Sequence, residues 1–429
     1  MRPGNLLDST RGRFVAFGTL YISEGIPYGF TTTAMVAFMR TEGLSLAQIG
    51  AFVAALFVPW SFKWVWAPLI DLVKLPRFGG RKAWILLCLS MMIVTLVVTA
   101  VVDFHTNFQL LLAAIVLNNF FCATQDVAID SLAVSTLKED ERGRGNGFMF
   151  GGQYFGIALG GGGAVFVFGL WGFNAALMYV SGLMFLSWLF VLFFIRDPDV
   201  SREPVGRSGS VLAKLGAELK GFLRELHSSF VHSGRGPKMG LLFAVLPAGA
   251  MSLGYSMLST IQVDYGLGQT QIAQISVYNT IAGAVGCIIG GWLGDRYGIR
   301  RILAIFVVLT ALPTVLLANE IRLVGLSDVA LATLYATIIG HGLIFGMMFG
   351  PRIAVFMGMT NPAVGATQFT AFMGMSSWAI SYGNYWQGQV AEAHGYVPML
   401  YLDALFMLAS LAVIPFLRDR EPSALPATA

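Results

Sequence analysis

Ionisable side chains set inside long apolar runs are where this 429-residue sequence could do chemistry. Glu24 stands about ten residues into the first such run, roughly 15 Å along a helix that rises about 1.5 Å per residue. A carboxylate at that depth can accept a proton from one side of an apolar layer and release it to the other; it can also contact a polar ligand or hydrogen-bond a neighbouring helix. In Ala123 to Asp130, ATQDVAID, the two acids Asp126 and Asp130 are four apart and share a helix face. Gln125 and Asp126 lie deep enough to reach a central space, whereas Asp130 is nearer the cations Lys138, Arg142 and Arg144, where an ion pair or a gate is expected. His341, near the middle of a later run, is of the one side-chain type that ordinarily titrates close to neutral pH. Glu24, Asp126 and His341 are thus the proton-handling candidates. Lys63, near the end of the second run, can either snorkel to an interface or bind an anion.

Polar and aromatic groups within the runs are candidates for lining a cavity: Tyr28, Gln125, Gln153, Tyr154, Asn279, Gln368, Trp378 and Asn384, with Gln387 beside them. Helical spacing turns only some of them inward, and aromatic residues also anchor helices at interfaces. The glycines at 151, 152, 156 and 160 to 163 suit close helix packing; they follow no strand, so no phosphate-binding loop is implied. There is no HExxH, no GxxxxGK[ST] and no paired nucleophile and base, so no catalytic residue, metal or cofactor is expected. Cys88, Cys122 and Cys287 all lie in apolar runs and read as packing residues, not as a disulfide framework.

The elements that must position these residues are membrane helices. Hydrophobic residues make up 56% of the chain and charged residues only 12%, with a mean hydropathy of +0.71. A soluble domain carries about twice that share of charge. Runs long enough to cross a bilayer as helices, about 20 residues each, fall near 14–39, 47–67, 83–102, 108–135, 145–168, 174–195, 240–263, 271–294, 302–318, 329–351, 363–388 and 398–417. They are too long for barrel strands and lack alternation. The first is read as a retained span, since no cleavage site precedes it. Of the 27 cations, 24 fall in one set of alternate loops, Arg352 among them, against Arg40 and Arg322 in the other. Cytoplasmic loops are the cation-rich ones, which predicts both termini inside and attributes the net charge of +4 to topology, not to nucleic-acid binding.

The polar stretch 196–238, with a possible amphipathic piece from Val211 to Phe230, divides six runs (1–195) from six (239–429). Asp71, Gly79, Gly80, Arg81 and Lys82 after the second run match Gly294, Asp295, Arg296, Gly298, Arg300 and Arg301 after the eighth, as a weak internal repeat. Asp71 and Asp295, followed by Arg81 and by Arg296 and Arg300, are gating candidates, together with Asp130 and Arg142.

Gly290 to Arg301, GGWLGDRYGIRR, resembles the loop signature of the major facilitator superfamily. Gly25 to Phe30 (GIPYGF), Phe62 to Asp71 (FKWVWAPLID), Ala123 to Asp130, Glu141 to Gly147 (ERGRGNG) and Gly365 to Phe369 (GATQF) are similar to the muropeptide permease (AmpG) family, with parts shared by acetyl-CoA transporters and siderophore permeases. The resemblance implies an all-α fold of about twelve transmembrane helices in two pseudo-symmetric halves and charge contacts at Asp71 and Asp295 that hold the cytoplasmic side shut. It further implies a monomer in a bacterial inner membrane that imports a fairly large polar or anionic solute, such as a peptidoglycan fragment, with protons. A siderophore or acetyl-CoA-type transporter, a passive facilitator and a solute sensor are the alternatives.

Overall fold

A computed structural model describes residues 5–67, 70, 80–101, 107–138, 141–197, 235–248, 251–360 and 365–417, with scattered positions between 216 and 230. Asp71 and most of the proposed amphipathic piece lie outside the described residues. Helices α1 (Thr10–Gly29), α2 (Met35–Thr41), α3 (Leu46–Phe62), α4 (Arg81–Val101), α5 (Phe108–Thr136), α6 (Arg142–Ala158), α7 (Ala164–Trp171) and α8 (Phe173–Phe194) form the first half. The second half holds α9 (Arg235–Val245), α10 (Ser256–Asp264), α11 (Gln269–Tyr297), α12 (Ile299–Val324), α13 (Leu331–Met359), α14 (Gly365–His394) and α15 (Tyr396–Ala409).

Among the described residues, nine helical segments are long and apolar enough to cross a membrane by themselves. Three more crossings are of membrane length but are interrupted or more polar: α1–α2, α9–α10 and α14. Two of them, α1–α2 with Glu24 and Tyr28 and α14 with Gln368, Trp378 and Asn384, carry candidate site residues, and those polar groups contribute to their lower hydropathy. The outer surface is apolar, with Val101, Ile288 and Leu323 each more than 70% exposed, as expected where lipid replaces water.

Packing repeats between the halves. The third crossing (α4) lies against the fourth (α5) and sixth (α8), and the ninth (α12) lies in the same way against the tenth (α13) and twelfth (α15). The halves join through α3 against α14 and α7 against α11. Glycine permits the closest approach inside the first half: a Cβ on Gly25 would overlap the Gln153 carbonyl oxygen, and one on Gly156 the Ile22 carbonyl oxygen, so α1 and α6 meet backbone to backbone. Gly152 and Gly160 do the same, while Gly151 faces open space. Just beyond Pro27, residues Phe30–Ala34 form a π-helical turn, matched by another at Leu159–Gly163 in the helix it packs on.

One position departs from the sequence reading. Arg352, assigned there to a cytoplasmic loop, lies inside α13 and is 2% exposed, because the tenth crossing continues eight residues past 351 to Met359.

Candidate functional site

The approach of α1 to α6 sets Glu24 against Gln153, whose amide Nε2 donates to Glu24 Oε1 at 2.7 Å. Glu24 is 1% exposed, and its second oxygen, Oε2, is buried with no hydrogen-bond partner. One position earlier, Ser23 Oγ accepts from Gln125 Nε2 on α5 at 2.7 Å. From the end of α3, the Lys63 ammonium donates to Asp126 Oδ2 and lies 5.3 Å from the Trp60 ring centre. Asp130, expected to pair with the basic loop, accepts a 2.6 Å bond from the Tyr21 hydroxyl of α1. Glu24, Asp126 and Asp130 thus lie within the first half with Lys63, whose ammonium pairs directly with Asp126.

Aromatic rings connect this group to the second half. The Tyr28 ring meets Phe57 edge-on at 6.0 Å and Trp60 at 6.5 Å, and Tyr255 of the seventh crossing meets Phe57 at 5.4 Å. Phe57 thus bridges the Tyr28 and Tyr255 rings across the halves. Tyr154 Oη lies 3.2 Å from Cys287 Sγ on α11, a second link across the halves.

In the second half, the seventh crossing is broken between Val245 and Ser256, and the break is held from neighbouring helices. Asn384 Oδ1 accepts from the Ser256 backbone N–H at 3.1 Å. Asp403 Oδ2 accepts from Ser252 N–H at 3.0 Å and Oγ at 2.8 Å, and its Oδ1 accepts from Gln387 Nε2 at 2.8 Å. These bonds replace the intrahelical ones the break removes. His341 is buried, stacked on Phe345 at 5.7 Å, with Nε2 lacking a partner. Asn279 faces Gly342, and Gln368 is fully buried on α14. Trp378 lies apart from these, in a shallow apolar groove of about 250 Å³ between α3 and α14 that it shares with Val58 and Tyr385.

At the end of the bundle that carries the α2–α3 connection, Arg40 donates to both oxygens of Asp264, Nε to Oδ1 at 2.5 Å and Nη2 to Oδ2 at 2.7 Å. Tyr396 Oη donates to the same Oδ2 at 2.6 Å. Close by, Leu46 N–H donates to Glu392 at 2.8 Å and Gln269 Nε2 to Thr41 at 3.3 Å, so the halves are fastened together at this end. At the opposite end, Asp295 is exposed with no ion pair among the described residues, and Arg296 lies over the Trp292 and Tyr297 rings. Arg81 is held within the first half, 3.6 Å from Asp197 and bonded to Ser131 at 2.9 Å. Arg142 begins α6, and its side chain lies outside the described residues. Glu141, just before it, is bonded by Arg13 (Nη2 at 2.5 Å) and Thr10 (2.7 Å), which hold its carboxyl pKa down to about 2.

Sequence reasoning missed Arg40, Asp264, Tyr255, Arg352 and Asp403. A single polar residue at the edge of an apolar run reads as a loop residue; for Asp403 its place about five residues into the last run was the available signal.

The family model for the Major Facilitator Superfamily matches residues 17–384 and 239–428. The Anhydromuropeptide permease of Escherichia coli K12 is 25% identical over 378 residues, 88% of this chain and 74% of its own. The Putative transporter AmpG 4 of Rickettsia felis is 24% identical, over 64% of this chain and 65% of its own. Among solved structures, the inward-open xylose transporter XylE of E. coli superposes with a TM-score of 0.71 at 11% identity, over 97% of this chain and 98% of its own. The nucleoside transporter NupG superposes with a TM-score of 0.66 at 16% identity, over 95% of this chain and 100% of its own. These likenesses to solved structures bear on the fold alone. With crossings packed in two matching halves and a family model that spans most of the sequence, the chain is a multi-pass membrane transporter, not an enzyme, and belongs to the major facilitator superfamily.

Proposed function

We propose that this protein imports a large polar or anionic solute, a peptidoglycan fragment in the first instance, together with protons, by alternating access between its two halves, residues 1–195 and 239–429. The observation that carries the coupling is the set of Glu24 and Asp126, both buried, and Asp130, half-buried, with a single ammonium from Lys63. One ammonium cannot balance three carboxylates away from water, and a proton is the smallest charge that makes good the deficit. Glu24, with Oε2 unpartnered, is the position that receives it. Tyr28, one helical turn beyond Glu24, packs on Phe57, which in turn meets Tyr255 of the other half, so loading the acid and moving the halves are mechanically connected.

The cation distribution puts both termini in the cytoplasm, and with that orientation the Arg40–Asp264 end faces outward and is closed. The described state is then the one that releases solute inward. Support for the substrate comes from the similarity to the anhydromuropeptide permease and from the aromatic and amide groups around Tyr28, Trp60, Gln153 and Tyr255, which suit stacking and polar contacts with a sugar–peptide ligand.

Proteoliposomes holding the purified protein and given an inward proton gradient test this. Labelled anhydromuropeptide should accumulate saturably and collapse with a protonophore. Saturable uptake of only a monosaccharide or a single amino acid would overturn the substrate, and uptake indifferent to the gradient would overturn the coupling.

A further inference from the structure

Arg352 is a buried cation for which the described residues provide no counter-charge. Its side chain is held within α13, where the residue is 2% exposed. Nη2 donates to Ser376 Oγ on α14 at 2.9 Å, the cationic carbon lies 5.2 Å from the Phe356 ring centre, and Nε is buried with no partner. None of the ion pairs found among the described residues includes it, and the titratable group that acts on it is the Tyr255 hydroxyl, not a carboxylate. An ion removed from water is tolerated when paired, and here neither serine nor a ring supplies negative charge. The position is not peripheral: Tyr255, which acts on Arg352, meets the Phe57 ring on which Tyr28 packs, so Arg352 stands on the second-half side of the same junction that has the acid group on its first-half side.

We infer that Arg352 is the anion-recognising residue of the transported solute's site, taking a carboxylate of the solute on the free Nε edge of its guanidinium. The guanidinium fork presents parallel N–H donors that match a carboxylate, and Ser376 and Phe356 fix its plane and leave Nε to the ligand. The two halves then divide the work: carboxylates and Lys63 on the first handle the proton, and a lone guanidinium on the second handles the solute's charge. The division also keeps the solute's anion away from the three acids that would repel it.

The assignment rests on the proposed transport of a peptidoglycan fragment, and the experiment separates the two. Uptake of labelled anhydromuropeptide and of the same molecule with its peptide carboxylates converted to amides is measured in proteoliposomes holding wild type, Arg352→Gln or Arg352→Lys, each first checked for a monodisperse elution profile and for retained counterflow of the amidated form. Wild type should prefer the carboxylate form at least about tenfold in the half-saturation concentration. Arg352→Gln should take up both forms alike, and Arg352→Lys should keep part of the preference. Equal uptake of both forms by wild type, or a preference that survives in Arg352→Gln, overturns the role of Arg352 and leaves the function standing. Should Arg352→Gln fail to elute as a monodisperse species, Arg352→Lys decides: a weakened preference supports the role, and an undiminished one overturns recognition by the guanidinium fork. Uptake of neither form by wild type overturns both.

Discussion

Arg40, at the end of α2, grips both carboxylate oxygens of Asp264, at the end of α10, and so ties the first crossing to the seventh across the two halves. Both side chains keep part of their surface in solvent, so the Coulomb energy is screened and about 1 kcal/mol is the most the pair should add to the closed state. Arg40→Gln and Asp264→Asn should each shift the population toward an open Arg40 end by roughly two- to fivefold, and the double variant should do no more than either one. With the native cysteines replaced, maleimide labelling of Thr32→Cys from that side should speed up by the same factor. Unchanged labelling in both single variants removes the pair from gating.

The gating expectation for Asp295 is tested differently, because in this state the residue is exposed and unpaired with any cation among the described residues. If it closes the opposite end in the alternate state, Asp295→Asn should leave thermal stability within about 0.5 kcal/mol of wild type yet lower the rate of net uptake. Normal uptake by the variant assigns Asp295 to topology alone.

Lys63 and Asp126 should be far more sensitive than either surface position. Asp126→Ala leaves the half-buried Lys63 ammonium without its partner, and loss of one member of such a pair should destabilise by up to about 3 kcal/mol. The double variant Lys63→Met/Asp126→Leu should recover much of that loss while transporting nothing. Unfolding in detergent, followed by intrinsic tryptophan fluorescence, measures the stability of both. Equal stability of the single and double variants would contradict the pairing.

Glu141 gives a pH signature outside the membrane. Arg13 and Thr10 hold its carboxyl pKa at about 2, below the usual 4.5, so it binds fewer protons folded than unfolded between those two values. The stabilisation is therefore complete above about pH 4.5 and is lost as pH falls from there toward 2. Glu141→Gln should be less stable than wild type at about pH 7, and the gap should close across that window. A gap that stays constant down to the bottom of the window would show that the ion pair is not its source.

Much of the fold could be read from the sequence because bilayer thickness fixes the length of each apolar run, and the expected runs match the crossings to within about six residues, the tenth excepted. Glu24 and Asp126 stood out for a related reason: a charge inside such a run is conspicuous. Their partners did not. Nothing in the sequence says that the Lys63 ammonium meets an acid 63 positions later, or that Asn384 and Asp403 spend their polar groups on the break in the seventh crossing. Those contacts depend on how helices distant in sequence pack. Gly254, beside the break, was its local sign.

Glu24→Gln in proteoliposomes loaded with a pH-sensitive dye decides whether the buried carboxylate carries the proton. Gln153 can still bond an amide at this position, so the variant should fold and elute as wild type and retain counterflow of labelled anhydromuropeptide. On addition of solute, wild type should acidify the lumen and accumulate the solute against its gradient. The variant should show at least a roughly tenfold smaller proton influx and no accumulation. Proton influx and accumulation equal to wild type in Glu24→Gln would contradict the account, since the buried carboxylate would then not be the group that carries the proton.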